Sequence, residues 1–303
     1  LRPFQFCNLC EVNVSDVETQ QDLNDRVVAA TLIGTLQTAY TNFHYLRDVW
    51  RRTTEKDALL GVGMTGIGSG KVQHLDLEAA SQLAVETNKY YAKEIGVNAA
   101  ARITTVKPSG TTSCVLGTAS GVHAWHNDYY IRRLRVGKNE AIYTYLTLRH
   151  PELVEDDFFK PETQAVISIP QRAPTDGILR HETSIELLER VRDIYNRWIV
   201  PGHIQGNNTH NVSCTVSVRE EEWEKVGKWM WENREYYNGI SVLPYYGGSY
   251  KQAPFEDIDK ETFEGMFINL KEVDLSNVVE IVDNTNLTGE LACAGGACEL
   301  QLA

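Results

Sequence analysis

The sequence predicts an α/β fold, and three observations carry that prediction. Short apolar runs that read as strands alternate with longer segments whose apolar residues recur at the spacing of one helical face. Helix caps and glycine or proline stops fall where this alternation requires boundaries. A length of 303 residues, with 42% hydrophobic and 23% charged residues, is enough to bury a full core.

Taken in order, residues 4–14 read as a strand. Residues 22–50 place Val28, Leu32, Leu36, Ala39, Phe43 and Leu46 on one helical face. Residues 59–64 form a short buried run, followed by a helix over 76–95. Residues 102–106 are a β-branched strand that enters a hydroxyl-rich turn, and 165–169 are a further apolar run. Thr183 with Glu186 three residues later is a capping box, and Pro201-Gly202 stops the helix it opens after Val200. Val212, Cys214, Val216 and Val218 alternate with Ser213, Thr215 and Ser217, as a half-buried strand requires. Residues 220–233 predict a helix with Trp223, Val226 and Met230 inward, and 240–243 a last strand. In such folds ligands sit at the carboxyl ends of strands. Past Asp283 small and polar residues take over, so 1–283 are expected to form the folded body and 284–303 a flexible tail.

Composition excludes several classes of function. No run of about 18 apolar residues exists, and the opening LRPFQFC lacks a charged-then-apolar signal design. A net charge of -12 argues against binding nucleic-acid backbones, which needs clustered Lys and Arg. Neither DNA nor a membrane is an expected partner. Six cysteines in this length are too few for a disulfide-stapled secreted fold, so a reducing cytoplasm is expected. Leu1, in place of Met and directly on a strand-like segment, reads as the start of a piece of a longer polypeptide.

Four stretches carry candidate chemistry. In TTVKPSGTTS, Ser109, Thr111, Thr112 and Ser113 supply hydroxyls and Gly110 permits close backbone approach, which suits a phosphate; an ordinary capped connection is the plain alternative. GMTGIGSGKV fails the Walker pattern, with Thr65 and Val72 at positions that need Gly and Ser or Thr, and reads as a glycine-rich turn. Cys293 and Cys298, separated by Ala-Gly-Gly-Ala, can close a disulfide and pass reducing equivalents by thiol exchange; no His or Cys nearby completes a zinc site, and no metal is expected. In FCNLCEVN, Cys7 and Cys10 are three apart, so on a strand they face opposite sides and do not share a metal. Cys114 and Cys214 read as small buried hydrophobes, and His123 and His126 as polar wall residues.

Together the stretches LRPFQFCNL, VKPSGTTS, GVH, YYIRRLRV, HNVSCTVSV, GISVLPYYGGSYKQAP and CAGGAC resemble ribonucleotide reductase, specifically its adenosylcobalamin-dependent class II enzymes and most closely the monomeric, triphosphate-reducing kind. The resemblance implies the C-terminal portion of a ten-stranded α/β barrel. It assigns Pro108, Ser109, Gly110, Thr111 and Thr112 to substrate phosphates and Cys7 to the barrel cysteine that donates electrons and ends in a disulfide with an N-terminal partner. Cys293 and Cys298 match the tail pair that re-reduces that disulfide. The cofactor implied is adenosylcobalamin, and the partners are a ribonucleotide, a thioredoxin-like reductant and the missing N-terminal half. A departure accompanies it: the family's radical cysteine lies in Asn-x-Cys-x-Glu, and in NLCEV the glutamate, Glu11, directly follows Cys10. That slip turns the carboxylate to the face opposite Cys10, away from a ribose served by it, so Cys10 is not the radical site. The chain by itself is expected to bind phosphate weakly and reduce nothing. The alternatives are a non-catalytic nucleotide-binding module and a diiron-dependent large-subunit fragment fed through tyrosines such as Tyr129-Tyr130, Tyr236-Tyr237 or Tyr245-Tyr246.

Overall fold

A computed structural model describes residues 1–245 and 250–284. In chain order the elements are β1 (Asn8–Asn13), α1 (Gln20–Gln37), α2 (Asp48–Asp57), β2 (Leu60–Thr65), α3 (Leu77–Ile95), α4 (Thr111–Val115), β3 (Tyr129–Gly137), α5 (Ala141–Arg149), β4 (Val154–Asp156), β5 (Gln164–Arg172), α6 (Ser184–Ile194), β6 (Thr215–Val218), α7 (Trp223–Glu232), β7 (Ser241–Pro244), β8 (Phe255–Asp257) and α8 (Lys260–Asn269). They divide into two compact units. One holds Leu1–Trp125 and Asp176–Tyr245; the other begins at His126–Thr175 and resumes after Tyr245.

The first unit is built on parallel strands. β1 pairs with β2 from Asn8↔Leu60 to Asn13↔Thr65, and β6 pairs with β7 from Thr215↔Ser241 to Val218↔Pro244. Between them, residues 102–106 form parallel bridges to β2 at Val62↔Thr104 and to Val212, just before β6, at Val106. The expected strand over 102–106 is thus present as a connecting segment with isolated bridges rather than a full ladder. Part of the reason is the way Thr104 turns its hydroxyl onto the Trp198 carbonyl and packs its side chain against Gly202, whose missing side chain leaves the space.

Helices cover one face of these strands. Val12, Leu60, Val62 and Met64 pack with Leu23 and Val27 of α1, Leu77, Ala80 and Ala84 of α3, and Leu188, Val191 and Ile194 of α6 in one core. α1 starts at the Thr19 cap, whose side chain accepts from the Asp22 amide, and ends at Gln37 rather than running to Trp50. The Thr38 hydroxyl bonds the Thr35 carbonyl there, a local alternative to further helix. Its buried face is also displaced from the expected one. Ala30, Thr31, Gly34 and Thr35 are buried while Leu36 is exposed, because α1 lies so close to β2 that a Cβ on Gly34 would meet the Leu60 side chain at 2.3 Å. α3 runs as expected from the Asp76 cap to Gly96, and the Thr183–Glu186 capping box opens α6, which continues as a wide turn over Tyr195–Ile199 before Pro201. Val212, Cys214, Val216 and Val218 are all buried, as their alternation requires. In α7 the inward residues are Val226 and Trp229, with Met230 partly buried against the same core as expected; Trp223 at the first turn is 38% exposed.

The second unit contains an antiparallel sheet in the order β4-β5-β3-β8. Val136, Leu146, Leu153, Ala165 and Ile167 form its small core. The apolar run at 165–169 lies within β5. β3 escapes an apolar-run reading because it carries three arginines: Arg133 pairs with Glu256 at 2.6 Å, Arg135 with the buried Asp157 at 2.9 Å, and Arg132 lies over the Phe255 ring.

Candidate active site

The alternation of a strand sorts the residues of β1 onto two faces. Cys10 points at α1, its thiol donating to the Ala30 carbonyl at 3.2 Å and lying against Gly34. Cys7, Leu9 and Glu11 lie on the other face, the one not covered by helices. A Cβ on Gly61 would meet Leu9 at 2.4 Å, Thr105 at 3.1 Å and the Cys7 sulfur at 3.6 Å, and one on Gly63 would meet both carboxylate oxygens of Glu11 at 2.7 Å. Two glycines in adjacent positions of one strand face weaken a sheet unless something else needs the room. Here they open a floor beneath Cys7 and Glu11. The slip in NLCEV does place Glu11 opposite Cys10. The open face, however, is the one Glu11 shares with Cys7, so its carboxylate turns toward the cleft and the Cys10 thiol toward the packing layer.

Because the strands are parallel, their carboxyl ends lie together, and the turn starting at Pro108 sits there. The Thr65 hydroxyl, on the last residue of β2, makes a short hydrogen bond with the Ser109 hydroxyl, donates to the Ala119 carbonyl at 3.1 Å and accepts from the Gly121 amide at 3.1 Å. The Ser109 amide donates to the Ser120 hydroxyl at 2.9 Å. Gly110 adopts φ 51°, and Thr111 and Thr112 follow it exposed on the first turn of α4, which has no side-chain cap. Gly121 has φ 54° and a Cβ there would meet the Lys107 carbonyl at 2.4 Å, so no larger residue fits. Pro108, Ser109, Gly110, Thr111 and Thr112 therefore form one half-buried to exposed turn, stapled from below by Thr65 and Ser120.

His123 is a strut of this turn. Its Nε2 accepts from the Thr215 amide at 3.1 Å, which leaves Nδ1 to donate to the Ser120 carbonyl at 3.0 Å. Burial holds its pKa below the ordinary imidazole value. His126 belongs to the second unit, where its ring stacks on Phe255 and its Nε2 is 3.1 Å from Asp257. The glycine-rich segment after β2 is a pair of tight turns, with Gly66 at φ 87° and Gly70 at φ 78°. A Cβ on Gly68 would strike the His123 carbonyl at 2.5 Å, so this segment backs the Pro108 turn.

Electrostatics separates the cysteines. Burial pushes the Cys7 thiol up to about 11, with the Lys107 ammonium pulling against it, and pushes Cys10 and Cys214 up to about 12. Cys7 is thus a protonated thiol at neutral pH, on the open face and within reach of the charge of Lys107. Glu11 is pushed up to about 7 by burial, again opposed by Lys107. Such a group offers both protonation states near neutrality. Cys7, Cys10 and Cys214 are free thiols. Cys293 and Cys298 lie outside the described residues.

The arrangement brings together Cys7 and the Pro108–Thr112 turn on one face of parallel strands. Sequence reasoning missed Thr65, Ser120, Lys107 and the orientation of Glu11. Lys107 directly precedes the turn, and Glu11 follows Cys7 by an even number of residues, so both signals were present. The contacts of Thr65 join residues 44 and 54 positions apart and left no local trace.

No protein-family model matches the chain. Among curated proteins it is similar to the adenosylcobalamin-dependent ribonucleoside-triphosphate reductase of Lactobacillus acidophilus, 27% identical over 336 residues that cover 97% of this chain and 43% of that protein. The enzyme of the same name from Lactobacillus leichmannii is 28% identical over 222 residues, covering 72% of this chain and 29% of its own. Among solved structures, the crystal structure of a B-12 dependent (class II) ribonucleotide reductase superposes with a TM-score of 0.72 at 22% identity, over 88% of this chain and 41% of that one. The resemblance read from the motifs thus extends along nearly the whole chain, and the fold is part of an α/β barrel. The chain spans less than half the length of the relatives it matches.

Proposed function

We propose that this chain carries the substrate-phosphate turn and an electron-donating cysteine of an adenosylcobalamin-dependent ribonucleoside-triphosphate reductase, and works together with the part of such an enzyme that holds the radical cysteine. The reaction is balanced as a ribonucleotide plus two thiols giving a deoxyribonucleotide, a disulfide and water. One observation supports this reading above the others: the Cys7 sulfur lies on the same open face of parallel strands as Lys107, and the hydroxyl turn closes the carboxyl end of that face.

Each residue has a task in this reading. The amides and hydroxyls of Ser109, Gly110, Thr111 and Thr112 hold the phosphates, with Pro108 fixing the entry of the turn and Lys107 adding positive charge. Cys7 keeps its hydrogen at neutral pH and gives it up with an electron, forming a disulfide with a thiol of the N-terminal part. Cys293 and Cys298 reopen that disulfide by exchange and are recharged by a thioredoxin-like reductant in a reducing cytoplasm. When bound, adenosylcobalamin supplies the radical chemistry to such an enzyme. Two cavities of the described residues, one lined by Arg133, Glu155 and Glu256 and the other by Glu186, Arg190 and Asp193, are charged where the face of a corrin ring needs apolar surface.

The test is co-expression with an N-terminal half carrying Asn-x-Cys-x-Glu, assayed for deoxynucleotide formation with adenosylcobalamin present. Turnover that is lost with Cys7→Ser is the expected result. Turnover that survives Cys7→Ser removes the donor role, and nucleotide binding without any turnover favours the non-catalytic module.

A further inference from the structure

We infer that Glu11 is a substrate-contacting residue, whose carboxylate receives a hydroxyl of the nucleotide's ribose and so favours ribonucleotides over their 2′-deoxy counterparts. The inference rests on the phosphate reading of the Pro108–Thr112 turn and extends it to the sugar.

Position carries the argument. In the β1–β2 register Glu11 stands opposite Gly63, one same-face step before Asn13 opposite Thr65, and Thr65 is the hydroxyl that staples the phosphate turn. One such step is about 7 Å, the direction and scale on which a sugar follows its phosphate. On its other side, the Cys7 sulfur lies against Gly61, 3.6 Å from where a Cβ would stand and one same-face step, about 7 Å, from the Gly63 that underlies Glu11. A nucleotide anchored at Ser109 and directed toward Cys7 therefore passes over Glu11.

The state of the side chain fits. Glu11 Oε2 is buried and has no hydrogen-bond partner, although a buried carboxylate oxygen is costly to leave unpaired. Gly63, having no side chain, gives the carboxylate its place beside the strand, and Leu9 next to it is 43% exposed, so a ligand approaches Glu11 from that rim. The Lys107 charge acts on Glu11 and on Cys7 alike, and offsets the repulsion a carboxylate would exert on a nearby phosphate. A ribose hydroxyl supplies the missing donor. A site built to pair a hydroxyl discriminates against an analogue that lacks it.

Calorimetric titration of the 303-residue chain tests this, using tripolyphosphate, a ribonucleoside triphosphate and its 2′-deoxy analogue as probes. The wild type should bind the ribonucleotide more tightly than either other probe. Glu11→Ala should weaken ribonucleotide binding about tenfold relative to tripolyphosphate and erase the ribo-to-deoxy preference. Glu11→Gln, which still hydrogen-bonds, should retain part of both. If tripolyphosphate binds but Glu11→Ala leaves the ribo-to-deoxy ratio unchanged, or the wild type has no such preference, the inference about Glu11 fails alone. If tripolyphosphate does not bind, or binds equally to Ser109→Ala, the phosphate reading falls and this inference with it.

Discussion

Thr65 concentrates in one hydroxyl what the Pro108–Thr112 turn needs, since Ser109, Ala119 and Gly121 all bond to it. Thr65→Val keeps the shape but leaves the Gly121 amide without its buried acceptor. We expect a stability loss of about 1–2 kcal/mol in urea unfolding and phosphate binding weaker by about tenfold in calorimetry. Ionisable residues in the same unit give the chain a readable pH dependence. His210 donates to, and is held beside, the Thr104 carbonyl at 3.1 Å, and burial lowers its pKa to about 4. The unfolded imidazole takes a proton near pH 6.5 and the folded one only near 4, so its contribution is whole above 6.5 and falls away through that window, by at most about 3 kcal/mol. Glu11 acts with the opposite sign. Its folded carboxyl takes a proton near 7 and the unfolded one near 4.5, so acidification across that range favours the fold. Urea unfolding between pH 4 and 8 should therefore show a flatter acid limb for His210→Gln and a steeper one for Glu11→Gln.

Among the elements, the turn from Lys107 to Gly121 depends on backbone that only glycine allows. Gly121→Ala places a methyl group 2.4 Å from the Lys107 carbonyl in a left-handed conformation, so the turn has to shift. The expected outcome is loss of tripolyphosphate binding with a stability cost of about 1–3 kcal/mol, the helices and their circular dichroism remaining. At the same scale, strong local signals were legible. The Thr183–Glu186 box, the Asp76 cap with Gly96 at its far end, and the alternation at 212–218 all appear where the sequence placed them. Elements set by distant contacts were not. In its second half α1 buries Ala30, Gly34 and Thr35 in preference to Ile33 and Leu36 because close approach to β2 outweighs side-chain size, and β3 hides its strand pattern behind arginines paired to Glu256 and Asp157.

For the molecule as a whole, the proposed electron path has two separable stages. With the N-terminal half supplied, replacing Cys293 and Cys298 by Ser should abolish turnover driven by a thioredoxin-like protein yet spare turnover driven by a small dithiol that can reach the cleft; equal loss with both reductants would assign those cysteines another role. The sequence by itself determined the α/β class, the phosphate turn as a candidate and the opposite facing of Cys7 and Cys10, because caps, hydroxyl clusters and the two-residue period of a strand are local properties of the chain. Only the tertiary structure decided which face is the candidate site. That choice follows from where α1, α3 and α6 pack: they cover Cys10, Val12 and the even-numbered residues of β2, and leave the half-buried Cys7 and Glu11 on the other face, over Gly61 and Gly63 and beneath a turn that Thr65 and Ser120 hold from distant parts of the sequence.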